Sequence, residues 1–251
     1  SSNALLPLKK VDPDNNPLKG VEFTLYKKDD GTQIAKGTTD SGGKLNLLFP
    51  DPGYYELKET YIDTNTWLPI THVYQVYVGN TPGKPIWVDG VKVTSDNPLV
   101  VPTPAQGRLT ISNRVEGNGS DSSKDFEYTV TFTGEGKDGE FTYKKSDNTF
   151  GTIKSGDKIT LKHGESVTLP TLPAGLVYTV TEADYTTVDG YITTPETREL
   201  SGTIVNKGDH KADFINERTV NKLTVSNTVM GNGGDKTKAF EYTVIFEEAG
   251  K

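Results

Sequence analysis

Three short alternating runs each set one ionisable group among apolar neighbours: Leu6, Leu8 and Lys10; Tyr55, Leu57 and Glu59; Tyr178, Val180 and Glu182. In an extended strand, residues two apart share a face, so each of these groups points where its apolar neighbours point, toward a core. Loss of water disfavours the charged forms there. It drives a lysine toward the free amine and a glutamate toward the neutral acid. An amine nucleophile beside a proton-carrying carboxyl is the pairing that a covalent reaction within the chain itself requires. The competing reading is a charged head that reaches water from a strand end along its aliphatic stem.

The elements that must position these groups are short strands. Val21, Phe23 and Leu25 share a face, as do Leu45, Leu47 and Phe49, and Val76 with Val78. Turn chemistry separates them at Asp29-Asp30-Gly31, Ser41-Gly42-Gly43 and Asp51-Pro52-Gly53. The 251 residues contain 26 Gly and 14 Pro with 33% hydrophobic content, a composition for many tight turns and little helix. Strands in this pattern, with no helical period between them, predict antiparallel β-sandwiches. Leu223 onward repeats Leu109 onward: LTISNRVEGNGSDSSKDFEYTVTF returns as LTVSNTVMGNGGDKTKAFEYTVIF. One repeat is one domain.

The division expected is therefore residues 5–104 as a first sandwich, 105–221 as a second, and 222–251 as the opening strands of a third repeat. Residues 1–4 read as the remnant of an expression tag. Pro102 to Gly107 is a short linker that restricts bending. The strand FEYTVIF after Leu223 has no partners in the sequence that follows, so it either hangs free or adds to a sheet of a neighbouring molecule.

A net charge of −7 argues against nucleic acid and anionic lipid as partners, and no apolar run is long enough to span a membrane. The chain has no cysteine, so neither disulfides nor thiolate metal sites hold it together. Asp12-Pro13-Asp14-Asn15-Asn16 begins like a calcium loop, but Pro17 and Phe23 stand where that loop needs glycine and glutamate. His72, His163 and His210 have no metal-ligand spacing, and the glycines of GNGSD and GNGGD lack the lysine of a phosphate loop. No metal, cofactor or external substrate is expected. Trp67, Trp87, Tyr54, Tyr61, Tyr74 and Tyr77 enrich the first unit in aromatics, either as core and loop filling or as a ligand-facing patch.

The words LKKVDPDNNPLKGVEFTLY and DPGYYELKET resemble the collagen-adhesin (Cna) B-type domain of Gram-positive surface proteins and pilins. SKDFEYTVTF, TLKHGESVTLPTLPAGLVYTVTEADY and ADFINER resemble the C-terminal domain of streptococcal T-antigen major pilins. The resemblance implies an all-β chain of tandem immunoglobulin-like domains, extracellular and attached to the cell wall by an anchor outside these residues. It also implies that a first-strand lysine attacks a last-strand asparagine, with a glutamate assisting and ammonia leaving, to form an isopeptide bond. In the second unit Glu182 and Asn216 match that pattern, but Asn113 replaces the lysine, as does Asn227 in the third copy. The expectation there is a hydrogen-bonded Asn113, Glu182, Asn216 cluster without a bond. In the first unit Lys10 and Glu59 match, Pro102 stands where asparagine is usual, and Asn97 is the substitute acceptor. The implied role is a stalk or pilus segment whose partners are neighbouring repeats of the same protein, and which is no enzyme beyond autocatalytic bond formation. The alternative is an adhesin that contacts a host matrix protein through the first domain.

Overall fold

The computed structural model describes residues 4–247, so the tag reading of residues 1–3 falls outside it. Ala4 is 7% exposed and opens the first strand. The first domain consists of β1 (Ala4–Lys10), β2 (Glu22–Lys27), β3 (Gln33–Thr38), β4 (Lys44–Phe49), β5 (Gly53–Tyr61), β6 (Tyr74–Val78), β7 (Ile86–Val88), β8 (Val91–Val93) and β9 (Leu99–Val101). They form a sheet in the order β4-β1-β9 and another in the order β3-β2-β5-β6-β7-β8. Leu6 and Leu8 of the first meet Phe23, Leu25, Tyr55 and Leu57 of the second in one core.

The second domain consists of β10 (Gln106–Glu116), β11 (Phe126–Thr133), β12 (Phe141–Lys145), β13 (Phe150–Ile153), β14 (Asp157–Leu161), β15 (Ser166–Pro173), β16 (Val177–Glu182), β17 (Ile192–Thr194), β18 (Glu199–Thr203) and β19 (Asp209–Glu217). The sheets run β13-β12-β15-β10-β19-β17 and β14-β11-β16-β18. Alternation is strict along β11 and β16, where every second residue enters the core and the others face outward. Every strand has a place in one of these four sheets, and the described residues contain no helix.

The all-antiparallel expectation needs one correction. In each domain the last strand runs parallel to the first: Leu99–Val101 beside Leu8–Lys10, and Asp209–Glu217 beside Arg108–Glu116. A parallel neighbour requires a long crossover, and here nearly the whole domain is that crossover. The entry end of the first strand and the exit end of the last therefore lie at opposite ends of each pair.

Residues 218–247 carry no strand, and Phe240, Tyr242, Ile245 and Phe246 are exposed. The same words form β10 and β11 one repeat earlier because β15, β19, β14 and β16 supply ladders for them there. Strand formation depends on those partners more than on local preference.

Candidate functional site: two buried polar clamps

At the exit end of each sandwich, polar side chains cross from one sheet to the other. In the first domain Lys10 ends β1 with its side chain fully buried and Glu59 comes from β5 with 1% of its side chain exposed. The amine lies 2.9 Å from Glu59 Oε2 and donates to the Pro102 carbonyl at 3.2 Å. The approach to Oε2 has the distance of an ion pair without the alignment of a hydrogen bond, so that oxygen lacks an aligned donor. Glu59 Oε1 accepts from the Ile70 amide at 3.1 Å. Burial pulls the Lys10 pKa below its ordinary value, and Glu59 opposes part of that shift.

In the second domain the clamp has more members. Asn113 of β10 and Asn216 of β19 lie on one sheet, and Glu182 of β16 and Tyr128 of β11 on the other. Asn216 Nδ2 donates to Asn113 Oδ1 at 2.9 Å and to Glu182 Oε2 at 2.7 Å. The Tyr128 hydroxyl donates to the same Oε2 at 2.7 Å, and Asn113 Nδ2 donates to the Leu161 carbonyl at 3.1 Å. Thr193 of β17 places its hydroxyl 3.1 Å from Glu182 Oε1 and 2.8 Å from Asn216 Oδ1.

Counting protons favours the neutral form of Glu182. Thr193 has one hydroxyl hydrogen for two acceptors, so an ionised Glu182 would leave one of the two short contacts without a proton. A proton on Oε1 completes the chain: Glu182 donates to Thr193, and Thr193 donates to Asn216. Burial agrees, holding the Glu182 carboxyl above its usual range against the opposing bonds from Asn216, Tyr128 and Thr193. Burial beside this acid also pushes the Tyr128 phenol up.

Residues 5–85, which contain the Lys10 and Glu59 clamp, match the model of the SpaA prealbumin-like fold domain. A curated pilin of Streptococcus pyogenes serotype M1 is 29% identical over 250 residues, covering 82% of this chain and 71% of the relative. The chain is similar to this pilin along most of its length, and its first domain to the prealbumin-like fold. Residues 107–218 match a family described as a domain of unknown function (DUF7601). Among solved structures, a major pilin of Streptococcus pyogenes aligns at 21% identity and a TM-score of 0.41, over 88% of this chain and 99% of that one. Another, from serotype GAS13637, aligns at 23% identity and a TM-score of 0.39, over 88% and 99%.

The pairing of first and last strands can be compared position by position between the two domains. Asn113 pairs with Phe214, and Asn216 follows two residues later. Lys10 pairs with Val101, so the residue in the Asn216 position is Thr103, not Pro102. Thr103 is 4% exposed and donates its hydroxyl to the Val11 carbonyl at 2.7 Å. A threonine has no carboxamide for an amine to attack. Asn97 is exposed in the turn after β8, where its amide nitrogen donates to Thr94 Oγ1 and its side chain donates to the Lys92 carbonyl. The structure thus brings Lys10 to Glu59 and leaves Asn97 apart. It joins Asn113, Glu182 and Asn216, and adds Tyr128 and Thr193, which sequence reasoning missed. Tyr128 lies in phase with Phe126 and Val130 and reads as core filling, while Thr193 carries no signal in its neighbours.

Proposed function

We propose that the chain is a load-bearing structural segment of a pilus shaft or surface stalk of a Gram-positive bacterium, with both domains closed by hydrogen bonds and ion pairing instead of isopeptide bonds. The pilin relative supports the setting. The observation that carries the mechanical reading is the parallel pairing of first and last strands in both domains. Tension applied at the two ends of such a pair shears the ladder, so its bonds share the load instead of opening one after another. The buried clamps lie beside those strands and tie them to the opposite sheet. On this reading the chain turns over no external substrate, stands outside the cell and has neighbouring domains of its own protein as partners.

Pulling single molecules from their two ends tests this. Each domain is expected to resist as a unit and then release its full contour length. Opening at the force of a peeled hairpin would remove the load-bearing role, and a release shortened by the span between Lys10 and the last strand would reveal a covalent tie.

A second reading, contact with a host matrix protein, has one observation in its favour. Tyr54 is 63% exposed and leads a cross-strand ladder, with its ring 4.8 Å from Tyr77, which lies 5.6 Å from Trp87. Directly opposed strand positions bring these rings together, which also explains the ladder as sheet stabilisation. Loss of binding to immobilised matrix protein in Tyr54→Ala would support the adhesin reading, whereas equal signal from the variant would remove it.

A further inference from the structure

The loop that leaves each clamp glutamate has a use beyond the clamp. In the first domain it leaves Glu59, turns at Asp63 and reaches into the second domain. The Asp63 carboxylate accepts from the Asn65 amide at 3.0 Å and the Thr66 hydroxyl at 2.8 Å, and its carbonyl accepts from the Trp67 amide. The neighbours Trp67 and Leu68 then part: Trp67 packs on the first core, whereas Leu68, 6% exposed, belongs to the core of the second. Gln106, the first residue of β10, fastens the loop by accepting from the Leu68 amide at 2.9 Å and donating to the Thr66 carbonyl at 2.6 Å. Thr171 donates to the Thr64 carbonyl and Thr142 to the Thr64 hydroxyl. Thus a residue of one domain completes the core of the next.

The second domain carries a shorter version of this loop at its own exit. After Glu182 the chain turns at Asp184, whose carboxylate accepts from the Thr186 amide at 2.8 Å and from the hydroxyls of Thr186 and Thr187. The apolar residue past this turn is Val188, which is 90% exposed. Arg218, just beyond β19, donates to the Asp189 carbonyl at 3.0 Å and to the Gly119 carbonyl at 2.6 Å, which ties the loop to the path of the exiting chain. Ile192 and Val220 at the same end are 68% and 46% exposed. The first domain covers its equivalent apolar tip with the next sandwich; the second holds its tip in place uncovered.

We propose that the loop of residues 183–191 is a docking element for a following domain of the same kind, the one whose first two strands are written at Leu223, with Val188 in the place that Leu68 takes in the second domain. The occupant follows from continuity with the Leu68 joint and from the repeat that begins only a few residues after β19. The inference rests on the tandem arrangement and not on a role in a pilus, so the pulling experiment above can fail without affecting it.

The test compares the present chain with the natural chain continued until the domain begun at Leu223 is complete, using hydroxyl-radical footprinting and residual dipolar couplings. Val188 is expected to be labelled strongly in the present chain and to lose that labelling in the longer one. Val188→Asp should leave the thermal unfolding of the present chain unchanged, yet widen the angle distribution between second and third domains in the longer one. Leu68→Asp in the present chain should loosen the first joint in the same way and lower the unfolding midpoint of the second domain, although the residue lies in the first. Val188 labelling that persists in the longer chain, couplings that ignore Val188→Asp, a Leu68→Asp effect confined to the first domain, or a natural chain with no domain there would each overturn the proposal.

Discussion

The two domains put ionisable groups in one architectural slot and neutralise them in opposite ways. The first buries an amine against a carboxylate, with one carboxylate oxygen lacking an aligned donor. The second replaces the amine by Asn113 and surrounds one acid with Tyr128, Thr193 and Asn216, each contact short. Two buried charges depend on each other, whereas a neutral acid in a closed hydrogen-bond ring depends on every member of the ring. Against the isopeptide pattern that the resemblance implies, the two departures are complementary: the first domain has Lys10 and Glu59 with Thr103 in the Asn216 position, and the second has Glu182 and Asn216 with Asn113 in the Lys10 position.

The largest effects are expected from filling those gaps. Asn113→Lys would place an amine beside the Asn216 carboxamide and Glu182, and Thr103→Asn would place a carboxamide beside Lys10. In either variant the new C–N bond displaces ammonia, and mass spectrometry would read the loss. By analogy with disulfides closing loops of about 100 residues, such a tie adds on the order of 4–5 kcal/mol. Variants that fold with unchanged mass would show that the two slots are not equivalent.

Next in size is the disruption of the first clamp. Lys10→Met leaves Glu59 buried and unpaired and is expected to destabilise the first domain by about 3–5 kcal/mol, whereas Lys10→Met with Glu59→Leu should recover most of that in chemical denaturation. A single variant as mild as the double would mean that Glu59 finds water. In the second domain Glu182→Ala strands the Tyr128 hydroxyl and the Asn216 amide, at about 2–4 kcal/mol. Glu182→Gln keeps one donor and one acceptor where the neutral acid has them and should cost under about 1 kcal/mol. Equal losses from the two substitutions would contradict the protonated assignment.

The smallest effects are in pH, and they differ in sign. The folded pKa of Glu182 is raised from an ordinary 4.5, so its stabilisation is complete below that value and is lost as pH climbs through the raised one. The folded pKa of Lys10 is lowered from an ordinary 10.5, so its stabilisation is complete above that value and is lost as pH falls through the lowered one. Domain-resolved melting should therefore show the second domain weakening with rising pH in its window and the first strengthening in its own. Glu182→Gln should flatten the former slope alone.

Much of this was legible from a period of two. Lys10, Glu59 and Glu182 stand out because one polar residue interrupts an apolar face, and burial follows from that face. Register was not legible. Parity allows Asn97 and Thr103 alike to share a face with Leu99 and Val101, but β9 begins only at Leu99 and Asn97 stays in the preceding turn. Tyr128 and Thr193 join the clamp through contacts between separate strands, and a hydroxyl inside a strand announces no partner. Leu68 carries no signal of its place because the core it enters belongs to residues that follow it by dozens of positions. The segment at Leu223 shows the same limit from the other side, since a similar sequence is two strands in one context and none in the other.

Closure of both domains without covalent ties has one direct measurement. Intact mass of the folded protein should equal that of the unmodified sequence, with protection from protease showing that both domains are native. A folded chain lighter by one ammonia or more would contradict it.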